Sequence, residues 1–426
     1  MRVKGLHLKG TNLTNYSPKT SITIPYSIKY HKYGADATWS QCTDMYKASV
    51  GGHAFDAEIN GFKYNLALTC FISTVTDSPA GAFTNISKTG RISFGVYERT
   101  AHSFSVNPNL DVEKSIDDHY MNIRDGLGYY PSVASYGYGY YDYQEEFKDY
   151  YLGVRNSQWG LTEYSYDIPD TSSFPTTTRQ GDMWSDRETN LGHVGQALEN
   201  AINAGGWYRD FTHWHTVETG ELEEYFSQQR SIIGNRNVIT LSFMEAIEYM
   251  KLRQSITEIK FFEADGKIYV TTEMPYVPTF RRNIETTLSV EVDLSGTVLE
   301  GEEIKTNYGA QKLGNNKFII EVPIDDYCVI ETDINGQYLD FELPTITGMN
   351  RNGAVLTVNT DRPTNVTVFE TPLGGETHEA TLRKRSNTMS TVHTINISDI
   401  AYSSRDIYIG AITETGQSVL SGKLTG

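Results

Sequence analysis

Four short stretches of this chain gather side chains able to bind a metal, move a proton or hold a sugar. They are Gln41–Lys47 (QCTDMYK), Thr100–Ser105 (TAHSFS), Ser135–Asp142 (SYGYGYYD) and Phe211–His215 (FTHWH). Asp44 brings a carboxylate, and His102 and His213 bring imidazoles; both groups ligate metals and accept protons. His213 and His215 are two apart, so on a strand they face the same side, where they could share a metal or a substrate. Taken singly, each has a structural reading too: a loop aspartate caps a turn, and a lone histidine sits in a satisfied network. Tyr136, Tyr138, Tyr140, Tyr141 and Tyr143 crowd the third stretch, and Trp214 stands in the fourth. Flat rings with hydroxyl or indole donors pack on the C–H faces of sugars and hydrogen-bond their edges. The same rings suit a protein interface, so both readings stand. No helical His-x-x-x-His pattern, Gly-x-Ser-x-Gly elbow or phosphate-cradling loop occurs, which removes nucleotide hydrolysis from the candidates.

Such residues need rigid strand ends to hold them. Up to about residue 255, apolar runs alternate with helical patterns. Leu66–Ile72 is continuously apolar, as a strand covered on both faces should be. Ile92–Val96, Trp207–Phe211 and Val238–Leu241 are further strands. Helical stripes run over Asp111–Asp125, ending at Gly126, and over Leu191–Ala204, ending at Gly205–Gly206. Ser242 and Glu245 make a capping box before Phe243, Ala246, Ile247 and Met250. Strand–helix–strand order implies right-handed crossovers and a parallel sheet or barrel, with any site at the carboxyl ends of its strands. Beyond residue 255 short alternating segments and turn signals predict β-sandwiches. Ile259–Phe261 and Ile268–Val270 flank an Ala264-Asp265-Gly266 turn, and Asn352–Gly353 precedes another strand. The expected division is 1–255, an α/β barrel with an N-terminal extension; 256–341, a β-sandwich; and 342–426, an immunoglobulin- or fibronectin III-like sandwich.

Composition narrows the function. The net charge of −17 opposes general nucleic-acid binding. Three cysteines without metal-ligand spacing exclude a disulfide framework or zinc ribbon. No run approaches the ~20 apolar residues of a membrane span. The first residues lack the apolar stretch of a signal peptide. A virion appendage, such as a bacteriophage tail, or non-classical export is the expected setting, with other virion subunits as partners.

In order and spacing, the four stretches resemble polysaccharide deacetylases, over roughly residues 30–255. Thr43-Asp-Met-Tyr-Lys-Ala48 is similar to that family's Asp-Asp-Gly-Tyr-Lys segment, and Ala101-His-Ser-Phe-Ser-Val106 to its His-Ser/Thr-x-x-His segment. Tyr136–Asp142 with Phe147–Arg155 resembles its third motif and following strand, without that motif's usual Arg and Pro. Gly205–His213 resembles its last catalytic strand. The resemblance implies a distorted (β/α) barrel and metal-dependent removal of acetyl groups from envelope glycans, using Zn2+ or another divalent ion. Carried across, Asp44 and His102 are metal ligands, and Asp44 and His213 are the catalytic candidates. Tyr136, Tyr138, Tyr140 and Trp214 are the candidate substrate contacts. The general-base position holds Thr43, whose hydroxyl cannot accept a proton at neutral pH as a carboxylate does, and the second metal histidine is replaced by Val106. One Asp and one His are too few for a reactive zinc, which normally has three protein ligands. His53, Asp56 or His119 would have to supply what is missing. The expectation is a degenerate deacetylase-like protein that binds envelope glycan or serves as a structural or adhesion subunit, with no cofactor unless a divalent metal is held; an active deacetylase with a divergent site is the alternative.

Overall fold

The computed structural model describes residues 20–45, 51–73, 82–98, 111–136, 144–155, 164–165, 187–211, 214, 220–276, 279, 286–332, 339–375, 381–386, 388–400 and 404–424. Two short strands come first, β1 (Thr20–Ile22) and β2 (Tyr26–Ile28). A mostly parallel sheet follows. Its strands are β3 (Ala37–Met45), β4 (Leu68–Ile72), β5 (Ile92–Glu98), β6 (Val133–Tyr136), β7 (Gly153–Arg155), β8 (Tyr164–Ser165), β9 (Trp207–Phe211) and β10 (Val238–Thr240). Their order is β10-β3-β4-β5-β6-β7-β8, with β9 also on β3, and β8 is antiparallel to β7. The helices are α1 (Gly51–Tyr64), α2 (Ala82–Ile86), α3 (Val112–Leu127), α4 (Gln144–Lys148), α5 (Arg187–Asn203), α6 (Glu221–Ile233) and α7 (Phe243–Ser255). This curled parallel sheet with helical crossovers is the distorted (β/α) barrel that the strand–helix alternation implies.

Strand alternation assigns each residue of the sheet to one of two cores. On β3, Trp39 joins a core with Leu68, Phe94 and the inward stripes of α3, α5 and α6, including Ile116, Tyr120, Leu198 and Tyr225. Cys42 joins the other, with Phe71, Trp207, Phe211 and the α7 residues Phe243 and Ile247. That second core continues without a break into Val290, Val292 and Ile320 of the next module. Local signals explain the well-marked helices. Asp111 caps α3 by accepting from Lys114 N at 3.0 Å, and Gly128, at φ 79°, ends it two residues beyond the expected Gly126. Both arms of the Ser242/Glu245 capping box form at the start of α7.

The middle module consists of β11 (Glu258–Ala264), β12 (Lys267–Glu273), β13 (Leu288–Asp293), β14 (Lys305–Thr306), β15 (Ala310–Lys312), β16 (Lys317–Val322) and β17 (Cys328–Glu331). The expected hairpin joins β11 to β12 through Asp265 and Gly266, both at positive φ (54° and 72°), as a two-residue primed turn requires. Its two sheets are β1-β11-β12-β17-β14 and β15-β16-β13-β2. Residues 20–28 therefore complete the middle module, one strand to each sheet, and are not an extension of the barrel. Pairing hydrogen-bonds two otherwise open sheet edges.

The last module consists of β18 (Ile346–Asn352), β19 (Val355–Pro372), β20 (Thr381–Arg385), β21 (Ser390–Asn396), β22 (Arg405–Ile412) and β23 (Ser418–Leu420). The 18-residue β19 serves both layers. Its first part pairs with β18 and β21, its second with β20 and β22, and the register shifts between Asn359 and Thr364. Leu356, Val358, Val366, Val368, Ile407 and Ile409 fill the space between the layers. Helix α1 packs against this module through Ile59 and Phe62, which meet Phe369, Tyr408 and Ile412. Among the described residues no helix is long and apolar enough to cross a membrane.

Candidate functional site

The carboxyl ends of the parallel strands bring together Asp44 of β3, Ser135 of β6, Arg155 of β7 and Phe211 of β9. Cross-strand register makes Ser135 the neighbour of Arg155 and Cys42 the neighbour of Phe211. Arg155 is 0% exposed and forms a buried ion pair, through Nη2, with Asp44 Oδ2. The same nitrogen donates to Ser135 Oγ at 2.6 Å. The guanidinium carbon lies 3.9 Å from the Phe211 ring centre and 5.4 Å from that of Phe71, so two aromatic rings adjoin the cation. Burial on its own would make Arg155 easier to deprotonate; the Asp44 carboxylate, together with Cys42 and Tyr97, acts the other way, and the guanidinium ends above its usual range. Beside them, burial pushes the Cys42 thiol up to about 12, and its Sγ donates to Asp210 O at 3.4 Å.

Thr43, next to Asp44 on β3, points to the opposite face, and its Oγ1 accepts from Trp214 N at 3.2 Å. Gln41, on the same face as Thr43, accepts from the Trp214 indole N–H at 3.2 Å. Trp214 is 0% exposed and belongs to the helix-side core. The expected sugar-stacking face is therefore enclosed: the indole braces β3 and presents no surface to a ligand in this structure. The sequence signal was ambiguous because the indole of a loop tryptophan can equally be driven inside by its large apolar area.

The proposed substitutes for the missing metal ligand and base are engaged elsewhere. His119 Nδ1 is 2.8 Å from Glu98 Oε2, on the helix-covered face of β5, and Tyr151 donates to Glu98 Oε1 at 3.3 Å. Burial raises the Glu98 carboxyl above its usual range, against the pull of His119 and Tyr151. Asp56 accepts from Asn60 Nδ2 at 2.9 Å, one turn along α1. Among the described residues, neither His119 nor Asp56 joins Asp44 in a group of three donors that could hold a metal ion. His102, Tyr138, Tyr140, His213 and His215 lie outside the described residues, as do the side chains of His53 and Tyr136; the Tyr136 backbone closes β6.

A catalytic zinc needs three protein donors and an open position. Among the described residues no group of three His, Cys, Asp or Glu side chains could hold a metal ion. Asp44, the expected ligand, is already paired through Oδ2 with the positive charge of Arg155. The described donors therefore do not fit a metal centre on Asp44. Sequence reasoning missed Arg155: the third motif's usual arginine was counted as absent, although an arginine ends the strand that follows. A charged residue closing an apolar strand in a parallel sheet is the signal that could have found it.

No family model matches the chain, and no curated protein matches it. Among solved structures, it is similar to a chain from Mycobacterium smegmatis described as a polysaccharide deacetylase. The TM-score is 0.39 at 10% identity, over 56% of this chain and 96% of that one. It is also similar to the family 4 carbohydrate esterase from Streptomyces lividans, with TM-score 0.34 at 10% identity over 48% and 92%. A third is the peptidoglycan deacetylase from Bacillus subtilis, with TM-score 0.34 at 15% identity over 51% and 92%. The likeness is one of fold and spans about half of this chain.

Proposed function

We propose that this chain is a deacetylase-like protein that binds envelope glycan as an adhesion or structural subunit and performs no metal-dependent deacetylation at Asp44. The observation that carries the reading is the Asp44–Arg155 pair. At the carboxyl ends of the strands, where an α/β sheet builds its site, the carboxylate is neutralised by a buried guanidinium. An ion pair of this kind ties β3 to β7, and Ser135 extends the tie to β6, which is a structural duty. The neighbouring position Thr43 supports the same reading, since its hydroxyl is used to anchor the Trp214 backbone. The tyrosine-rich stretch around Tyr136, Tyr138 and Tyr140 supplies the glycan-facing rings in this proposal, and a virion appendage supplies the setting.

The test pairs co-sedimentation on insoluble peptidoglycan, chitin and cell-wall polysaccharide with acetate release from the same samples. Binding without acetate release is expected. Acetate release that Asp44→Ala abolishes would overturn the proposal in favour of an active deacetylase. Association of the native protein with purified virions tests the setting separately.

A further inference from the structure

Glu58 of α1 is 0% exposed and lies where the barrel meets the last sandwich. Thr89 donates its hydroxyl to Glu58 Oε1, while Oε2 has no hydrogen-bond partner among the described residues. Two guanidiniums cross the seam beside it. Arg91 donates to Gly416 O at 2.6 Å and to Ser418 Oγ at 3.3 Å, and Arg385 donates to Lys88 O at 2.7 Å. Asn65 closes the same seam, donating to Gln417 Oε1 at 2.7 Å and accepting from Ser418 N at 2.9 Å. A carboxylate here would be buried in a junction whose cations are already turned to neutral oxygens of the opposite module.

We propose that this junction is a proton-controlled latch, in which Glu58 must carry its proton for the barrel and the last sandwich to stay fully docked. Burial pushes the Glu58 carboxyl up to about 8, although the Thr89 hydrogen bond and the charges of Arg385 and Arg91 act the other way. Among the described residues, the charged groups acting on it are Arg91 at the start of β5 and Arg385 on β20. Glu245, in the first turn of α7, acts in turn on Arg91. Once the modules part and water reaches Glu58, its carboxyl returns to about 4.3. Between those two values the docked state holds the extra proton, so docking weakens as pH rises. The loss is up to about tenfold per pH unit and is complete near the docked value. The latch is tightest in acid.

Hydrogen exchange of the full chain tests this, corrected for the chemical exchange rate, at about pH 5.5 and about pH 7.5. The Ser418 amide, which reports the seam, should lose protection at the higher pH by up to about a hundredfold relative to Cys70, deep in β4. In Glu58→Gln the Ser418 protection should not change with pH. Equal pH dependence of Ser418 in wild type and Glu58→Gln would overturn the latch. A loss of protection shared by Ser418 and Cys70 would overturn it as well, and that comparison decides in wild type alone if the variant fails to fold.

Discussion

Cutting the Asp44–Arg155 pair should damage the fold in a way that a metal site would not. Arg155 is fully buried and Asp44 nearly so, and removing one partner leaves the other charge in the interior without a counter-ion. Losing one member of such a pair costs about 3–5 kcal/mol. For a domain of this size, 1 kcal/mol lowers the melting temperature by roughly 2–4 °C, so Asp44→Leu or Arg155→Met alone should lower it by roughly 6–20 °C. The double substitution replaces the pair with apolar side chains beside Phe71 and Phe211, and should recover most of the loss, to within about 1–2 kcal/mol of wild type. Urea unfolding of the four proteins, with chelator and with added zinc, gives the coupling energy of the cycle. The pair reading requires a coupling of about 2 kcal/mol or more that neither additive changes. Single costs that simply add, or a stability that rises with zinc and is lost in Asp44→Leu, would refute it.

Three further outcomes follow from the packing. Trp214→Phe should cost about 1–2 kcal/mol by stranding Gln41, and Trp214→Ala about 3–5 kcal/mol by opening a cavity; both are read by thermal unfolding, with glycan binding per folded molecule unchanged. Deleting residues 20–28 strips an edge strand from each sheet of the middle module, so the truncated protein should aggregate, as light scattering would detect. All three cysteines are buried, with burial raising each thiol, so a thiol reagent at neutral pH should find none in the native protein and three after denaturation.

The barrel was legible where one element carried its own signal. Trp207–Phe211 has the bounds its sequence suggested, and the Ser242/Glu245 box starts α7 as read. Helix α6 was readable too, from the stripe of Leu222, Tyr225, Phe226, Gln229 and Ile233, although it is not among the helices assigned from sequence. Helix α1 was not readable. It is covered by the barrel on one side and the last sandwich on the other, so Glu58 and Asn60 are as buried as Ile59 and Phe62, and no polar face remains to mark its period. The pairings of β1 with β11 and β2 with β13 join residues 239 to 266 positions apart, through three-residue segments too short to show alternation. At the candidate site, Asp44 stood out by type and context. Its partner did not, because an ion pair across two strands leaves no trace in the linear order of residues.

The central claim rests on which cation faces Asp44, and divalent-metal content answers that most directly. Protein purified without chelators, then loaded with zinc and dialysed, is expected to retain no ion that Asp44→Ala removes. A stoichiometric ion lost from both Asp44→Ala and His102→Ala would contradict the account and return the barrel to metal-dependent chemistry.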